Sequence, residues 1–281
     1  MTALSKLRPC SLCDRFDPVV VNSIAGNITQ VVLHNVLTGI LMQDPDYIYY
    51  AHAGKLSLAR RLAGRARRKI YDDFINRTQA GPNTSILDVG VSDVENAEAN
   101  MLEKMYPYLE NVTCAGLGDG AALTARYQRL KYKRIIPGEP LPFDDNQFDI
   151  ATSNAVIEHV GGYSEQIFHL QQMARVAKQI FITFPNRFFP VEHHTGVPLL
   201  HYMPYLFRKI IGRTALEHWG DSKNLEFLSC YHIKRIWPLT CPVTVFYTGL
   251  KMGLLSSNCA IHAYTDSVPP NGNCTTSARR T

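Results

Sequence analysis

The sequence lacks a long uninterrupted apolar run. The most apolar early stretch, residues 19–42, contains five Asn, Gln and His residues between positions 22 and 35. A helix that spans a bilayer needs about 20 consecutive, mostly apolar residues. The stretch therefore favours one or two amphipathic helices over a membrane span. Because no signal peptide precedes it, we expect a cytoplasmic protein.

Cysteine is sparse, and its spacing excludes the common structural metal sites. The chain has seven scattered cysteines, of which only Cys10 and Cys13 form a CxxC pair. A zinc site needs two further ligands at motif spacing, and neither a second CxxC nor an HxxxH pair is present. The sequence therefore predicts reduced thiols and no metal.

Neither sign of charge dominates the chain. The formal net charge is +5 in 281 residues, which permits anionic partners without requiring nucleic acid. Basic residues do concentrate on a helix predicted from about Lys55 to Asn76, at Arg60, Arg61, Arg65, Arg67, Arg68 and Lys69. Two interpretations stay open for this helix, a solvated face and a patch for phosphate or anionic lipid.

A short apolar run at residues 85–93 ends in an acid, a glycine and small polar residues. This order is typical of a buried strand that turns sharply into a helix beside a bound nucleotide. Asp88 is placed at the carboxyl end of the strand, and Gly90 lets the backbone approach a ligand closely. Ser92 and Glu95 have capping-box spacing, so the next helix is predicted to begin at the turn.

From residue 85 onward, strand and helix patterns alternate, which predicts an α/β fold with a doubly wound, mostly parallel sheet covered on both faces. Seven strands are expected. The first contains Ile86, Leu87 and Val89, and the other six are predicted at 112–117, 134–136, 148–153, 179–184, 243–247 and 259–263. Helices are predicted at 121–130, 164–177 and 229–237.

The segment from Leu141 to Val160 is the most specific in the chain. It combines Leu-Pro-Phe, a polar turn, Phe-Asp before an apolar strand, and Ile-Glu-His at the start of a helix. Together with Asp88-Val89-Gly90 upstream, this pattern resembles class I S-adenosylmethionine-dependent methyltransferases, in particular a bacterial subgroup of the small-molecule enzymes. The resemblance covers roughly residues 80 to 265.

The resemblance implies a Rossmann-like class I methyltransferase domain with S-adenosyl-L-methionine as cofactor. It places Asp88, Gly90 and Ser92 at the amino-acid end of the cofactor and Asn154 at its methionine part. Asp119 is the candidate for the ribose, and Gly138 and Glu139 are the candidates for the adenine. Asp149, by contrast, lies just inside a buried strand and is interpreted as structural, because a buried carboxylate needs hydrogen-bond partners.

Two histidines are the candidate catalytic residues. His159 follows the fourth strand, and His194 lies in Pro185-Asn186-Arg187-Phe188-Phe189-Pro190-Val191-Glu192-His193-His194, which resembles the end of the fifth strand in the bacterial subgroup. Either histidine is suited to accept a proton near neutral pH or to orient a substrate. A purely structural role stays open for both.

An apolar insertion follows, at about residues 187–227, and its most aromatic part is 197–211. We interpret it as a lid over the substrate, with contact to a membrane surface or simple core packing as the alternatives. Residues 1–80 are predicted to form an N-terminal helical cap region, 81–266 the methyltransferase domain, and 267–281 a disordered tail.

The predicted function is methyl transfer to an oxygen, nitrogen or carbon nucleophile of a small molecule. An alternative is a non-catalytic relative with a degenerate cofactor site, because the acid after the second strand and the glycines of the first turn depart from the family pattern. A nicotinamide-dependent oxidoreductase is disfavoured by the incomplete Gly-x-Gly-x-x-Gly turn. Nucleic-acid methylation is not expected, because no Asn-Pro-Pro-Tyr-like segment follows the fourth strand. The oligomeric state is left open.

Overall fold

A computed structural model describes residues 57–94 and 99–265. Most of the predicted N-terminal cap region and the predicted tail therefore lie outside the described residues, as does the Cys10–Cys13 pair. Within the described part, no helix combines the length and the apolar character needed to cross a membrane. The cytoplasmic location stays a prediction.

Seven strands form one sheet in the order β3-β2-β1-β4-β5-β7-β6. Strands β1 to β5 pair in parallel, and β7 runs antiparallel to both of its neighbours. The predicted doubly wound, mostly parallel sheet is therefore confirmed. The strands are β1 (Ile86–Val89), β2 (Val112–Gly116), β3 (Lys131–Arg134), β4 (Phe148–Asn154), β5 (Ala177–Pro185), β6 (Val243–Met252) and β7 (Leu255–Tyr264).

Six α-helices of the described residues accompany the sheet, and four short 3-10 helices lie in the connections. The α-helices are α1 (Ser57–Thr78), α2 (Met101–Met105), α3 (Ala121–Arg126), α4 (Tyr163–Val176), α5 (Pro204–Ile211) and α6 (Cys230–Ile236). The 3-10 helices are Leu109–Asn111, Ile157–His159, Leu200–Tyr202 and Glu217–Gly220.

Successive side chains of β1 point to opposite faces of the sheet, and the core accordingly forms two clusters, one on each face. Leu87 and Val89 pack with residues of α4 and α6, among them Leu170 and Ile233. On the other face, Ile86 packs with Ile70 and Phe74 of α1 and with residues of α2 and α3. Helix α1 is therefore part of the packing of the sheet. The predicted domain boundary near residue 80 stays a prediction.

The predicted start of the helix after β1 is wrong. Residues 91–94 are not helical, and α2 begins at Met101 after Asn100 in a left-handed conformation with φ of 54°. Ser92 accepts from the amide of Val94 at 3.0 Å, and its own amide donates to Asn100 Oδ1. A local turn and a long-range amide bond therefore satisfy these backbone groups without a helix.

The third strand also begins earlier than predicted, at Lys131 instead of Arg134. It lies at the edge of the sheet, pairs only with β2 among the described strands, and is largely exposed. An exposed edge strand lacks the apolar pattern on which the prediction depended. The remaining strands and helices differ from their predicted bounds mainly at their ends.

Candidate functional site

The site lies at the carboxyl edge of the parallel strands, where the chain changes direction between β1 and β4. From β1 the chain proceeds outward through β2 to β3, while β4 and β5 lie on the other side. Open α/β sheets bind ligands at such a switch point, outside the carboxyl ends of the strands. Asp88 lies inside β1, one residue before its end, and the other sequence-predicted site residues end or follow strands at this edge.

Gly90 turns the chain at the end of β1 with φ of +97°, a conformation that glycine adopts at little cost. Its amide donates to the carbonyl oxygen of Ala115 on β2 at 2.8 Å. A Cβ built at Gly90 would lie 2.2 Å from Cγ2 of Val156. The missing side chain therefore makes room for the segment after β4, and a larger residue here would also strain the fold.

Asn154 ends β4 and holds a basic residue at the rim. Its side-chain oxygen accepts from Arg67 Nη1 at 2.7 Å and from the hydroxyl of Thr183 on β5. Ala155, directly after it, adopts φ of +58°, which is uncommon for a residue with a side chain and concentrates at functional sites. Asn154 lies at the carboxyl end of its strand, as predicted from the sequence. Its side-chain oxygen, however, already accepts hydrogen bonds from residues of α1 and β5.

Two further predicted residues are tied into the interior. The Asp88 carboxyl is buried and hydrogen-bonds with Glu103 of α2. Burial and the neighbouring charge of Glu103 raise the pKa of Asp88 well above its ordinary value. Ser92, also buried, is bonded to Asn100 through its amide and carbonyl groups. Their contact with the cofactor stays a prediction.

The predicted ribose and adenine residues lie on exposed loops after β2 and β3. Asp119 is exposed, and one of its oxygens accepts from the amide of Ala121 at 2.9 Å. Gly138 has φ of +79°, with nothing within 4 Å of the position of a Cβ, and Glu139 beside it is exposed. The loops after β2 and β3 are thus open to solvent, and the assignment of Asp119, Gly138 and Glu139 to the ribose and adenine stays a prediction.

The two candidate catalytic histidines meet at this edge. Nε2 of His159 and Nε2 of His194 are 3.1 Å apart, although 35 positions separate the residues along the chain. Nδ1 of His159 lies 2.7 Å from the carbonyl oxygen of Asn224, and Nδ1 of His194 lies 2.7 Å from Oε1 of Glu192. The structure therefore brings the loops after β4 and β5 together in one polar cluster.

The carboxyl groups of Glu192 and Glu158 flank the histidine pair, and their pKa values are shifted in opposite directions. Burial would raise the pKa of Glu192, but the charge of His194 and hydrogen bonds from His194 and Thr195 outweigh it and keep the pKa below its usual range. Burial raises the pKa of Glu158 to about 7, partly opposed by His194. Burial also lowers the pKa of His159 to about 3. Glu192 is thus ionised, and His159 is neutral.

Trp219 closes the cluster from the side of the insertion. Its ring is 2% exposed and lies 5.5 Å from the His159 ring and 4.7 Å from the His194 ring, between centroids. Trp219 also packs with Phe207, Ile211 and Leu225 in a small core of the insertion. The insertion is therefore anchored directly against the candidate catalytic residues.

Sequence reasoning missed three residues of this site. Arg67 is one of six basic residues on the predicted helix, and no local pattern distinguishes it from the other five. Glu192 was noticed only as part of a motif, and its spacing of two residues from His194 was the available signal. Trp219, one of only two tryptophans, had no local pattern to mark it.

Comparison with known proteins gives one family match. Residues 87–180 match the model of a family described as a methyltransferase domain. A search of curated protein sequences finds no match.

Similar solved structures include YcgJ from Bacillus subtilis, with 13% identity over 63% of this chain and 70% of that chain and a TM-score of 0.44. A methyltransferase from Thermotoga maritima, titled a possible histamine N-methyltransferase, has 13% identity over 74% and 91% of the two chains and a TM-score of 0.46. Magnesium protoporphyrin IX methyltransferase from Synechocystis, solved with bound S-adenosylhomocysteine, has 10% identity over 84% and 99% and a TM-score of 0.49.

The family match covers the strands β1 to β4, helix α4 and the start of β5, which include the switch point and one of the two histidines. The sheet topology around these residues agrees with the fold that the motifs implied. Residues 87–180 are therefore similar to a methyltransferase domain, and they lie on a sheet with the topology that the motifs implied.

Proposed function

We propose that this methyltransferase transfers a methyl group from S-adenosylmethionine to an oxygen, nitrogen or carbon nucleophile of a small molecule. One observation carries the proposal, namely that the glycine turn after β1 and the histidine loops after β4 and β5 lie at the same switch-point edge. The exposed Asp119 carboxylate and the open space at Gly138 fit the adenosine part of the cofactor.

Bound S-adenosylmethionine supplies an activated methyl group on a cationic sulfonium. The protein then mainly has to hold donor and acceptor in line and to exclude water. In our proposal, Asp88, Gly90, Ser92 and Asn154 position the amino-acid and methionine end, Asp119 the ribose, and Gly138 and Glu139 the adenine. His194 and His159 orient the acceptor or take its proton, where a proton is lost.

The insertion supports an apolar acceptor. Its inner residues pack around Trp219, but large apolar side chains of its outer face are exposed, among them Leu199, Tyr202, Met203, Tyr205, Leu206 and Ile210. A cover of this kind over the histidines suits a hydrophobic small molecule. Nucleic acid is not part of the proposal, since Arg67 of the basic helix donates to Asn154 within the protein.

Calorimetric titration of the full chain with S-adenosylhomocysteine tests the cofactor site. We expect binding, and we expect Asp119→Asn to weaken it about tenfold, because a charged hydrogen bond becomes a neutral one that is weaker by about 1–1.5 kcal/mol. Asn keeps an oxygen for the amide of Ala121, so the loop is preserved. The control is Asp144→Asn, in an exposed turn away from the rim.

Absence of binding at millimolar ligand would overturn the proposal in favour of the non-catalytic alternative. If wild type and Asp119→Asn bind with equal affinity, the proposed cofactor stands, but the assignment of Asp119 to the ribose is refuted.

A further inference from the structure

The hydrogen bonds of His159 and His194 leave their two facing Nε2 atoms in an unfavourable arrangement. Nδ1 of His159 faces a carbonyl oxygen, and Nδ1 of His194 faces the Glu192 carboxylate, each at 2.7 Å. Both partners are acceptors, so each Nδ1 carries a hydrogen. In the neutral rings, both Nε2 atoms therefore turn a lone pair towards each other across 3.1 Å. Either a proton on one Nε2, as in the charged form of His194, or a metal ion between the two nitrogens removes this repulsion.

Glu158 supplies a second, independent sign of a cation-binding site. Its side chain is 1% exposed, and among the described residues neither carboxylate oxygen has a hydrogen-bond partner. Oε1 lies 3.8 Å from Nε2 of His159. A buried carboxylate without a partner is costly, so such groups are usually paired with a cation or bound to a metal. The Arg67 guanidinium affects Glu158 through its charge, but it donates its described hydrogen bond to Asn154.

We propose that Glu158, His159 and His194 bind a divalent transition-metal ion, with Nε2 of each histidine and the carboxylate of Glu158 as ligands. One ligand atom from each of the three residues can be chosen so that all lie within 4.8 Å of one another. This inference does not depend on the proposed function. It gives the two histidines the role of ligands instead of proton acceptors.

The nitrogen separation fits such an ion. Two nitrogens 3.1 Å apart both lie about 2.05 Å from an ion when the nitrogen–metal–nitrogen angle is roughly 98°, which is between the octahedral and tetrahedral values. Glu158 stands farther out and has to swing inward on binding. Two imidazoles and one carboxylate favour ions such as Zn²⁺, Co²⁺, Mn²⁺ or Fe²⁺ over Mg²⁺ and Ca²⁺, which prefer oxygen ligands.

The surroundings of the histidines are those of a metal site. Metal-bound histidines usually donate their other ring N–H to a carboxylate or a backbone carbonyl, which fixes the tautomer and orients the ring. Here Glu192 and the carbonyl of Asn224 take these two positions. Trp219 packs against both rings and holds their planes. No HxxxH motif or second CxxC motif marks this site in the sequence, because the three ligands come from two separate loops.

The test uses the full chain with Cys10→Ser and Cys13→Ser as background, since the CxxC pair is an alternative ligand set. The protein is stripped with a chelator and titrated with Co²⁺ and with Zn²⁺, followed by visible absorption, metal analysis and thermal unfolding. We expect one equivalent of metal per chain and a higher melting temperature. His194→Gln and Glu158→Gln should abolish or strongly weaken binding, and Glu192→Gln should weaken it about 10- to 100-fold.

His193→Gln is the matched control, because His193 is the neighbouring residue in the same loop but is exposed and outside the three-residue cluster. We expect it to bind metal like the background protein. If His194→Gln does not fold, proton NMR of the Co²⁺-loaded background protein decides the question. Two shifted, solvent-exchangeable ring N–H signals are expected, one from each ligand. The proposal would be overturned if the background protein bound no metal, if these N–H signals were absent, or if His194→Gln bound metal equally well. A proton shared by the two rings would then explain the short distance between them.

Discussion

At the scale of single residues, two aspartates at opposite edges of the sheet accept hydrogen bonds from the backbone. Both carboxylate oxygens of Asp93 accept from the first turn of α3, through the amides of Gly120 and Leu123 at 2.9 Å. Asp149 accepts from the amide and hydroxyl of Ser85 and from Nζ of Lys178. The predicted structural role of Asp149 is thereby confirmed. Asp93 therefore helps to fix the loops at the carboxyl edge, where the candidate site lies, and Asp149 joins the starts of β1, β4 and β5 at the other edge.

Asp149 should make stability depend on pH at the acid end. Hydrogen bonds from Lys178 and the amide of Ser85 lower the pKa of Asp149 to about 2, against about 3.9 in an unfolded chain. The stabilisation of the folded state by the ionised Asp149 is therefore fully present above pH 4 and is lost as pH falls from about 4 to 2. Because the side chain is 38% exposed, we expect only about 1 kcal/mol.

Urea unfolding of wild type and Asp149→Asn between pH 6 and pH 2 measures this effect. The variant should be less stable by about 1 kcal/mol at pH 6, and the difference should shrink towards pH 2. Asp144→Asn, in an exposed turn, serves as the control. A difference that does not change with pH would show that the ion pair is not its source.

At the scale of elements, helix α1 joins the core to the site. Ile70 and Phe74 are fully buried against the sheet, and the Phe74 ring meets Phe181 edge-on at 5.4 Å. Asp73 accepts from the hydroxyl of Thr248 on β6 at 2.7 Å. Arg67, less than two turns before Phe74, reaches Asn154 at the rim. The packing of α1 therefore determines where the guanidinium of Arg67 lies.

Phe74→Ala should destabilise the protein by about 3–5 kcal/mol, because it leaves a cavity between α1 and the sheet. Leu62→Ala on the same helix is the control, since Leu62 is 36% exposed and should cost much less. Urea unfolding gives both free energies. Comparable losses for the two variants would mean that α1 is not held by the Phe74 contact.

Helix α5 presents apolar side chains on two faces. Phe207 and Ile211 point into the core of the insertion, while Tyr205, Leu206 and Ile210 are exposed on the same two turns. Lys209 lies beside them on the helix. Apolar and basic groups together favour binding at the surface of an anionic membrane, the alternative that the sequence left open for this insertion.

Sedimentation with vesicles of phosphatidylcholine and phosphatidylglycerol tests this contact. We expect the wild type to bind and the double variant Tyr205→Ser/Leu206→Ser to bind at least tenfold more weakly, because two apolar side chains no longer enter the lipid. Tyr231→Ser is the control, since Tyr231 is 74% exposed on another helix. If the wild type stays in the supernatant, membrane binding is refuted, and the lid over the substrate remains the interpretation of the insertion.

At the scale of the whole molecule, the alternation of strand and helix patterns was enough to predict the sheet. Buried strands such as β1 and β4 carry apolar runs, so they were located within a residue or two. The edge strand β3 is polar, and its position was therefore less accurate. The helix after β1 was misplaced because a side-chain amide, Asn100, competes with the capping pattern read at Ser92.

The candidate site was only partly accessible from the sequence. Residues such as Gly90, Asn154 and His159 follow strands directly, so the strand pattern locates them. The contact of His159 with His194 depends on the path of a loop, and the packing of Trp219 against both depends on the insertion as a whole. Arg67 reaches the rim over 87 positions, a separation for which local patterns contain no information.

Strand β7 lies between β5 and β6, although it follows both in the chain. During synthesis on the ribosome, the sheet thus stays divided until residues 255–264 have emerged. Until then β5 and β6 each present an unpaired edge, the kind of surface that promotes aggregation and chaperone binding. A stop codon or ribosomal stall shortly before residue 255 would thus leave a nascent polypeptide with its sheet unclosed, even though every residue of the rim had already been translated.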